Sequence, residues 1–462
     1  MLLEALHDLL DADQVKTGDD IDARHFRDWL MTCAQDQRPL ALVFPRTPQE
    51  VSDILKLCHR HRQPVVTQGG LTGLSGGATP VRDCVLVSTQ RMRGIQAIDP
   101  AAATMTVWAG TPLEEIQNAA QDAGLFFALD IGARGSCTIG GNAATNAGGN
   151  RVLRYGMTRE LVLGMEVVLA DGTIVTSLNQ MLKNNAGYDL KQWFIGSEGT
   201  LGIITRLVLR LFPLSHSTCT AFCALQDYDA VRLFLQRAKS HLGGSLSAFE
   251  AMWPDFYASA LVAVGASGTT QSPLPPGHGM YVLLESSGAH QEQDAAHFSA
   301  LIEAAIEDGL VADAVMAQSL RDSQNLWRLR ESTSEFLPAL GPRVGFDISI
   351  PTGQIGDFVN DCIGELKARW PGLRSVTFGH VADGNIHLIV KTGSGPQPEH
   401  DIEAMVYDRV RHWRGSVSAE HGVGLHKKTF LHYTRTPEEI TLMKTIKAAL
   451  DPAGILNPGK IF

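Results

Sequence analysis

Residues 129–160 read LDIGARGSCTIGGNAATNAGGNRVLRYGMTRE. The stretch is crowded with Gly, Ala, Ser, Thr and Asn and holds few bulky apolar side chains before Val152. A segment like this cannot build a core of its own. It lets the backbone come close to something else, because glycine removes the Cβ barrier and permits φ > 0. Ser136, Thr138, Asn142, Thr145 and Asn146 add short hydrogen-bonding arms beside main-chain N–H groups. That chemistry suits a large, flat, partly anionic ligand gripped mostly by main chain. Taken alone, the run reads as a long surface loop or linker; three further stretches reverse that reading.

The first of these is a second glycine loop, QGGLTGLSGG at residues 68–77. It carries neither G-x-G-x-x-G nor G-K-[ST], so the Rossmann and Walker fingerprints do not apply. A short strand, residues 64–67, precedes it and another, residues 84–88, follows it, so the loop joins strand to strand. Its N–H groups can still form a nest for a pyrophosphate without a helix dipole behind them.

At 462 residues the chain is long enough for two or three domains. With 44% hydrophobic and 19% charged residues it is an ordinary globular protein. A net charge of -10 argues against a nucleic-acid partner, since phosphate binding needs clustered positive charge. Seven scattered Cys without a C-x-x-C pair point to reduced thiols and a cytoplasmic setting. The amphipathic start carries Glu4 and Asp8 and lacks a basic region, unlike a secretory signal. No apolar run approaches the ~18 residues of a membrane span.

Patterning places the rest. Thr47, Pro48 and Glu50 open a helix over residues 45–59. Residues 95–99 and 104–109 alternate as strands; Thr111 caps a helix with Pro112 at its first position and Gly124 at its end. Residues 164–175 form a hairpin turning at Asp171-Gly172, and the strand after residue 203 ends near Pro213. Residues 1–215 are thus a strand-rich α+β unit. From residue 217, strands (218–225, 280–285, 346–350) alternate with helices (229–241, 291–308, 354–370), which predicts an antiparallel sheet with helices on one face. Residues 265–279 read as an exposed loop. The last twelve residues, with two prolines and two glycines, cannot be helix and are expected to dock.

Two segments concentrate metal-type ligands. In FGHVADGNIHLIV, residues 378–390, His380 and His387 bracket an Asp-Gly-Asn turn, and a hairpin would bring both imidazoles to one edge of a sheet. In SAEHGVG, residues 418–424, Glu420 and His421 stand just before glycines. Two imidazoles and a carboxylate suit catalytic Zn²⁺ or Mn²⁺ with open positions. With 16 His in the chain, ordinary core or surface histidines would also account for this spacing. Arg328 and Arg330 are two apart on a helical run and so face different ways; the inward one could clamp a carboxylate. Tyr188, Lys191 and Trp193 read as core or rim, with packing near a flat ligand as the alternative.

Together these stretches resemble the FAD-linked oxidase and dehydrogenase superfamily of vanillyl-alcohol oxidase, and within it the D-2-hydroxy-acid dehydrogenases of 2-hydroxyglutarate, lactate and glycolate. The matching runs are residues 65–77, 130–150, 187–205, 379–387, 418–424 and 456–462, in family order. The resemblance implies a two-part FAD-binding domain (residues 1–215), a substrate and metal domain with an antiparallel sheet covered by helices (216–425), and a C-terminal segment (426–462) returning to the flavin. It implies that FAD is held by Gln68, Gly69, Gly70, Thr72, Gly73, Leu74 and Ser75. It also implies Gly135, Ser136, Thr138, Ile139, Gly140, Gly141, Thr145, Asn146, Gly148, Gly149, Tyr155 and Gly156, closed by Glu198, Gly199, Gly202, Ile203 and Asn457. The first loop has no His, so the flavin is expected to be non-covalent. His380, His387 and Glu420 fall on metal ligands, zinc or manganese; His421 on the proton acceptor; Arg330 on the carboxylate clamp; Ser334 among the substrate groups. Electron-transfer flavoprotein, a quinone or a cytochrome would take the electrons, and a homodimer is one assembly it allows.

The chain departs from the 2-hydroxyglutarate members at one region. They carry Lys where Gly345 stands, Asn where Ile389 stands and Thr where Ser334 stands. Losing a cation and an amide favours a less acidic distal end, lactate-like or apolar. Two rivals remain at this stage: a flavin-binding electron-transfer subunit without substrate chemistry, and a metal-free flavin oxidase of alcohols or carbohydrates.

Overall fold

A computed structural model describes residues 2–29, 33–34, 37–266 and 272–462. The expected loop at 265–279 therefore lies partly outside the described residues. The chain divides into two compact units: Met1–Gly149, Tyr155–Leu214 and Glu420–Phe462 form one, and Asn150–Arg154 with Ser215–Ala419 form the other. Along the sequence the division falls after Ala419, where the resemblance implied a boundary at 425.

In the first unit the helix Pro48–His61 forms where its start signals stand. The Thr47 side chain accepts from Glu50 N, Pro48 occupies the first turn, and Arg62 closes the helix in the left-handed region. Such a cap contributes about 1 kcal/mol. Its Val51, Ile54, Leu55 and Cys58 face the core against Val65 and Val85. They cover a four-stranded sheet ordered Val15–Lys16, Ala41–Val43, Val85–Ser88, Val65–Gln68. Val65–Gln68 and Val85–Ser88 run parallel, with the glycine loop as part of their connection. A second, antiparallel sheet runs Ile95–Asp99, Thr104–Trp108, Ile203–Arg210, Val162–Val168, Ile174–Ser177.

Two local expectations need correcting in this unit. The helix after Thr111 is Leu113–Asp122, and Pro112 is its N-cap rather than its first residue. Thr111 Oγ1 instead holds Gly94 N at 2.9 Å and donates to Trp108 O at 2.7 Å. Residues 129–160 are not one loop. Ile139–Thr145 is a helix, because Ile139 and Ala143 reach the core while Gly140 lets the turn sit on Ala109. Asn146, with φ 51°, ends it.

The C-terminal residues dock in the same unit. Helix Pro437–Leu450 starts with a capping box between Thr436 and Glu439. Beyond it, Asp451 accepts from Ile455 N and Leu456 N, and Leu456 bridges Val65 in parallel. Lys460 is buried and donates to Thr79 O at 2.8 Å. Among the described residues no helix is long and apolar enough to cross a membrane.

The second unit is built on one seven-stranded antiparallel sheet: Asp313–Met316, Ser217–Leu225, Met280–Gly288, Leu246–Met252, Arg374–Gly379, Asn385–Lys391, Val344–Ser349. Helices cover both faces, not one. Leu246–Met252 is buried at every position. Its Phe249 meets Phe234 of helix Tyr228–Leu242, while Met252 joins Phe256 of helix Pro254–Ala266 on the opposite face. The strong apolarity of these strands, rather than alternation, was the signal of two-sided burial.

Burial holds the Lys460 ammonium down, to about 8 from an ordinary 10.5. Between those values the unfolded chain binds a proton that the folded chain does not, so stability rises as pH climbs from about 8 to 10.5 and is lost as pH falls. Lys460→Met should remove that slope, which is on the order of 3 kcal/mol at most. Denaturant midpoints of both proteins across this window, followed by flavin fluorescence, check it; parallel curves would refute it.

Candidate functional site

The first unit brings the two glycine loops into contact through main chain. A Cβ at Gly70 would lie 2.0 Å from Ser136 O, and one at Gly69 would lie 2.4 Å from Thr138 Oγ1. At Gly70 any other residue would have to move backbone, and at Gly69 it would displace the Thr138 hydroxyl. Leu71 takes φ 59°, Glu198 φ 51° and Asn457 φ 42°. Non-glycine residues held there mark strain that the surroundings must compensate, and such strain gathers at ligand sites.

Among the described residues, no acceptor pairs with the main-chain N–H groups of residues 70–75. Thr138 Oγ1 and Asn457 Oδ1 are buried and lack a hydrogen-bond partner. A row of donors and buried acceptors waiting beside glycine is what a pyrophosphate and a polar ring edge require. FAD fits this cradle on those grounds.

Other expected cradle residues hold its shape. Gln68 Nε2 donates to His25 O and Ala78 O, both at 2.9 Å, and its Oε1 meets His25 Nδ1 at 2.7 Å. Glu198 accepts from Val423 N at 2.7 Å and Gly424 N at 2.8 Å. Burial pushes its carboxyl up despite those bonds. Asn457 Nδ2 donates to Glu198 O at 2.6 Å and to Gly77 O at 3.0 Å. Ser75 Oγ donates to His421 O at 3.0 Å, and Glu420 Oε2 accepts from Gly149 N at 2.9 Å. Glu420, His421 and the glycine loops are therefore knit together. Tyr155 packs on Phe212 at 4.7 Å, Gly156 turns with φ 78°, and Gly202 lets the chain pass Val167.

The second unit holds the imidazole pair. His380 and His387 flank the turn of the hairpin Arg374–Gly379/Asn385–Lys391, with ring centroids 5.8 Å apart. The hairpin lies inside the sheet, and Val344–Ser349 is the edge strand. One ligand nitrogen of each ring lies within 4.8 Å of the other, and a carboxylate oxygen of Asp347 lies equally close to His387. Nitrogen and carboxylate donors at this spacing fit a small divalent ion after slight closure. Arg330 is the inward arginine of its helix; Arg328 points out and pairs with Glu335 at 3.7 Å. The Arg330 guanidinium stacks 4.7 Å over Phe378, which stacks in turn on His387 at 4.9 Å. Ser334 is exposed on helix Thr333–Leu340, and Tyr188 is 88% exposed and so not part of the core.

Sequence reading missed Glu250. This acid sits in the middle of an apolar strand, where nothing but its burial, visible only in the fold, marks it. Oε1 meets His380 Nδ1 at 2.6 Å and Oε2 accepts from Arg330 Nε at 2.8 Å. Burial pushes the carboxyl up, but its interactions with His380 and Arg330 outweigh it and hold it below the usual carboxylate range. Asp347 is the second missed acid: it accepts from Asn385 Nδ2 at 2.9 Å and from Ala419 N at 3.2 Å, anchoring the chain one residue before Glu420.

Comparison with known proteins shows the family. Residues 39–177 match the family described as "FAD binding domain", and residues 214–461 match "FAD linked oxidases, C-terminal domain". A protein of Oryza sativa subsp. indica named "Probable D-2-hydroxyglutarate dehydrogenase, mitochondrial" is 42% identical over 91% of this chain and 74% of its own. A "Putative D-lactate dehydrogenase", also named mitochondrial, from Schizosaccharomyces pombe is 41% identical over 96% and 84%. The crystal structure of p-cresol methylhydroxylase superposes with a TM-score of 0.80 at 18% identity, covering 100% of this chain and 96% of that one, a likeness of fold.

Gly70→Ala should yield protein without flavin, because its methyl meets a backbone carbonyl. Gly132→Ala, in the same stretch as the second loop but with nothing within 4 Å of its Cβ, should keep it. The flavin-to-protein absorbance ratio of the two purified variants decides; a yellow Gly70→Ala protein would contradict the close approach.

Proposed function

Because the chain belongs to the family of FAD-linked D-2-hydroxy-acid dehydrogenases, we propose that it oxidises its substrate at a divalent ion held by His380, His387 and Glu420. One observation carries this: two imidazoles share one hairpin turn beside a buried guanidinium. Glu420 follows Ala419, whose N–H is held by Asp347, so the third ligand is reached in one residue along the chain.

When bound, FAD supplies the hydride acceptor and the divalent ion a Lewis acid that lowers the pKa of the substrate hydroxyl. The residues do the rest. Arg330 pairs with the substrate carboxylate; its Nε faces Glu250, and the rest of its fork is oriented by that bond. His421 takes the hydroxyl proton, a task an imidazole performs near neutral pH. The buried Phe378 ring beneath Arg330 excludes water on that side. Fixing C2 against the acceptor is largely an orientation effect.

The distal end of the substrate is proposed to be apolar or short. Gly345 pairs across the sheet with Ile389, and Ile389 with Val376. This row lies two residues along from Asp347, His387 and Phe378, so it shares their face at roughly 7 Å. A Cβ at Gly345 would meet nothing within 4 Å. An open position beside two aliphatic side chains offers no partner to a second carboxylate. An external acceptor (electron-transfer flavoprotein, a quinone or a cytochrome) is proposed to reoxidise the flavin. Zinc is the proposed ion, with manganese as the other candidate, and a cytoplasmic setting remains a proposal beside relatives named mitochondrial.

Flavin bleaching under argon tests the scheme. D-2-hydroxy acids should bleach it, L-isomers should not, and a chelator should slow reduction at least tenfold with recovery on adding zinc. Unchanged reduction after complete metal removal would sink the metal role.

The double variant Gly345→Lys/Ile389→Asn should raise kcat/KM for a dicarboxylic 2-hydroxy acid relative to lactate by about tenfold or more, as expected of a charge-assisted bond. No change in that ratio would show that this row does not face the substrate tail.

A further inference from the structure

Glu250 has entered only as a partner of Arg330, yet its carboxylate also touches His380. It projects from strand Leu246–Met252, and its side chain is 2% exposed. The two oxygens serve different partners: Oε1 meets His380 Nδ1 at 2.6 Å, and Oε2 takes Nε and NH2 of Arg330, each at 2.8 Å. An ionised carboxylate has no proton to give, so the His380 nitrogen must be the donor. The imidazole is then the Nδ1–H tautomer, with the ligating lone pair on Nε2.

We infer that Glu250 is a positioning residue that fixes both the tautomer of His380 and the pitch of the Arg330 fork over Phe378. One carboxylate thereby sets a metal ligand and a substrate clamp in a fixed relation. The inference rests on the reading of His380 as a ligand and Arg330 as the clamp. An outer carboxylate behind a ligating His commonly raises its basicity and orients its ring. Here the same acid also balances the buried guanidinium, which unpaired would carry a large desolvation cost.

Glutamine is the discriminating substitute because it keeps the shape and loses one acceptor. If its oxygen serves His380, its NH2 confronts the N–H donors of Arg330. If its oxygen serves Arg330, its NH2 must donate to Nδ1, which moves the imidazole proton to Nε2 and removes the ligating lone pair. No orientation satisfies both partners.

Three variants of the flavin-loaded enzyme carry the test: Glu250→Gln, Glu250→Asp and His380→Ala/Glu250→Gln, with His380→Ala as reference. Zinc affinity is read by competition with a chromogenic chelator, alongside KM, kcat, flavin absorbance and melting temperature. Glu250→Gln should hold zinc 10- to 100-fold more weakly and raise KM more than it lowers kcat, with flavin retained. Glu250→Asp, which keeps both acceptors on a shorter arm, should recover part of the affinity and serves in place of Glu250→Gln should that variant not fold. In the His380→Ala background, Glu250→Gln should cost no further zinc affinity, because its effect passes through His380.

Wild-type zinc affinity and KM in Glu250→Gln would overturn the inference. So would an equal loss of affinity in the His380→Ala background, or a lower melting temperature with zinc affinity unmoved. Should the wild-type enzyme bind no zinc, the metal reading itself fails. Glu250 is then judged by KM alone: a rise in Glu250→Gln keeps its hold on Arg330, and an unchanged KM removes it.

Discussion

The carbonyl of Ser136 lies where a side chain on Gly70 would begin, and this closeness governs the first unit. Two glycine loops from distant parts of the sequence can meet only if neither carries a Cβ at the crossing. Once they meet, their N–H groups have no room to pair with each other in a ladder, and so remain for a ligand. Leu71, in the first loop, also takes a left-handed φ of 59°. A cofactor held by main chain is insensitive to the identity of most side chains around it, which suits a fold that serves many substrates.

Buried acids are the counterpart of that arrangement. Glu198, Glu250 and Asp347 each accept from groups that must not move: the N–H groups of Val423 and Gly424, the His380 ring and Arg330, and the Ala419 N–H. A carboxylate can only accept, so it imposes direction on every donor it meets. The cost is desolvation. At Glu198 two main-chain donors do not offset it, and the carboxyl is raised; at Glu250 a guanidinium and an imidazole more than offset it, and the carboxyl is lowered. The difference separates an acid that clamps backbone from one that balances charge.

Much of this was legible in the sequence. Thr47 and Pro48 started a helix, Asp171-Gly172 turned a hairpin and the turn between His380 and His387 paired two strands, because each is a local rule read within a few residues. The FAD-linked dehydrogenase reading came from motifs in order along nearly the whole chain, and the comparisons bear it out. What stayed hidden was set by tertiary context. Glu250 has no neighbour in sequence that announces its role, since its partners stand 80 and 130 residues away. Helix Ile139–Thr145 looked like loop because glycine and alanine carry no amphipathic stripe. It forms because close packing on Ala109 needs small residues. The sheet was read as covered on one face, although near-continuous apolarity in strands such as Ser217–Leu225 is the signal of burial on both.

The second unit sets a polar row beside an apolar one along its strands. Successive residues on one face of a strand lie roughly 7 Å apart, so the row bearing Asp347, His387 and Phe378 and the row bearing Gly345, Ile389 and Val376 are neighbours with distinct contents. Polar and charged groups crowd the first, and side chains that bond to nothing fill the second. A substitution in the second row leaves the donors and acceptors of the first untouched, which is why the substrate tail is proposed to be read there. The hairpin register enforces this separation, because a slip by one residue would send His387 and Ile389 to the opposite face together.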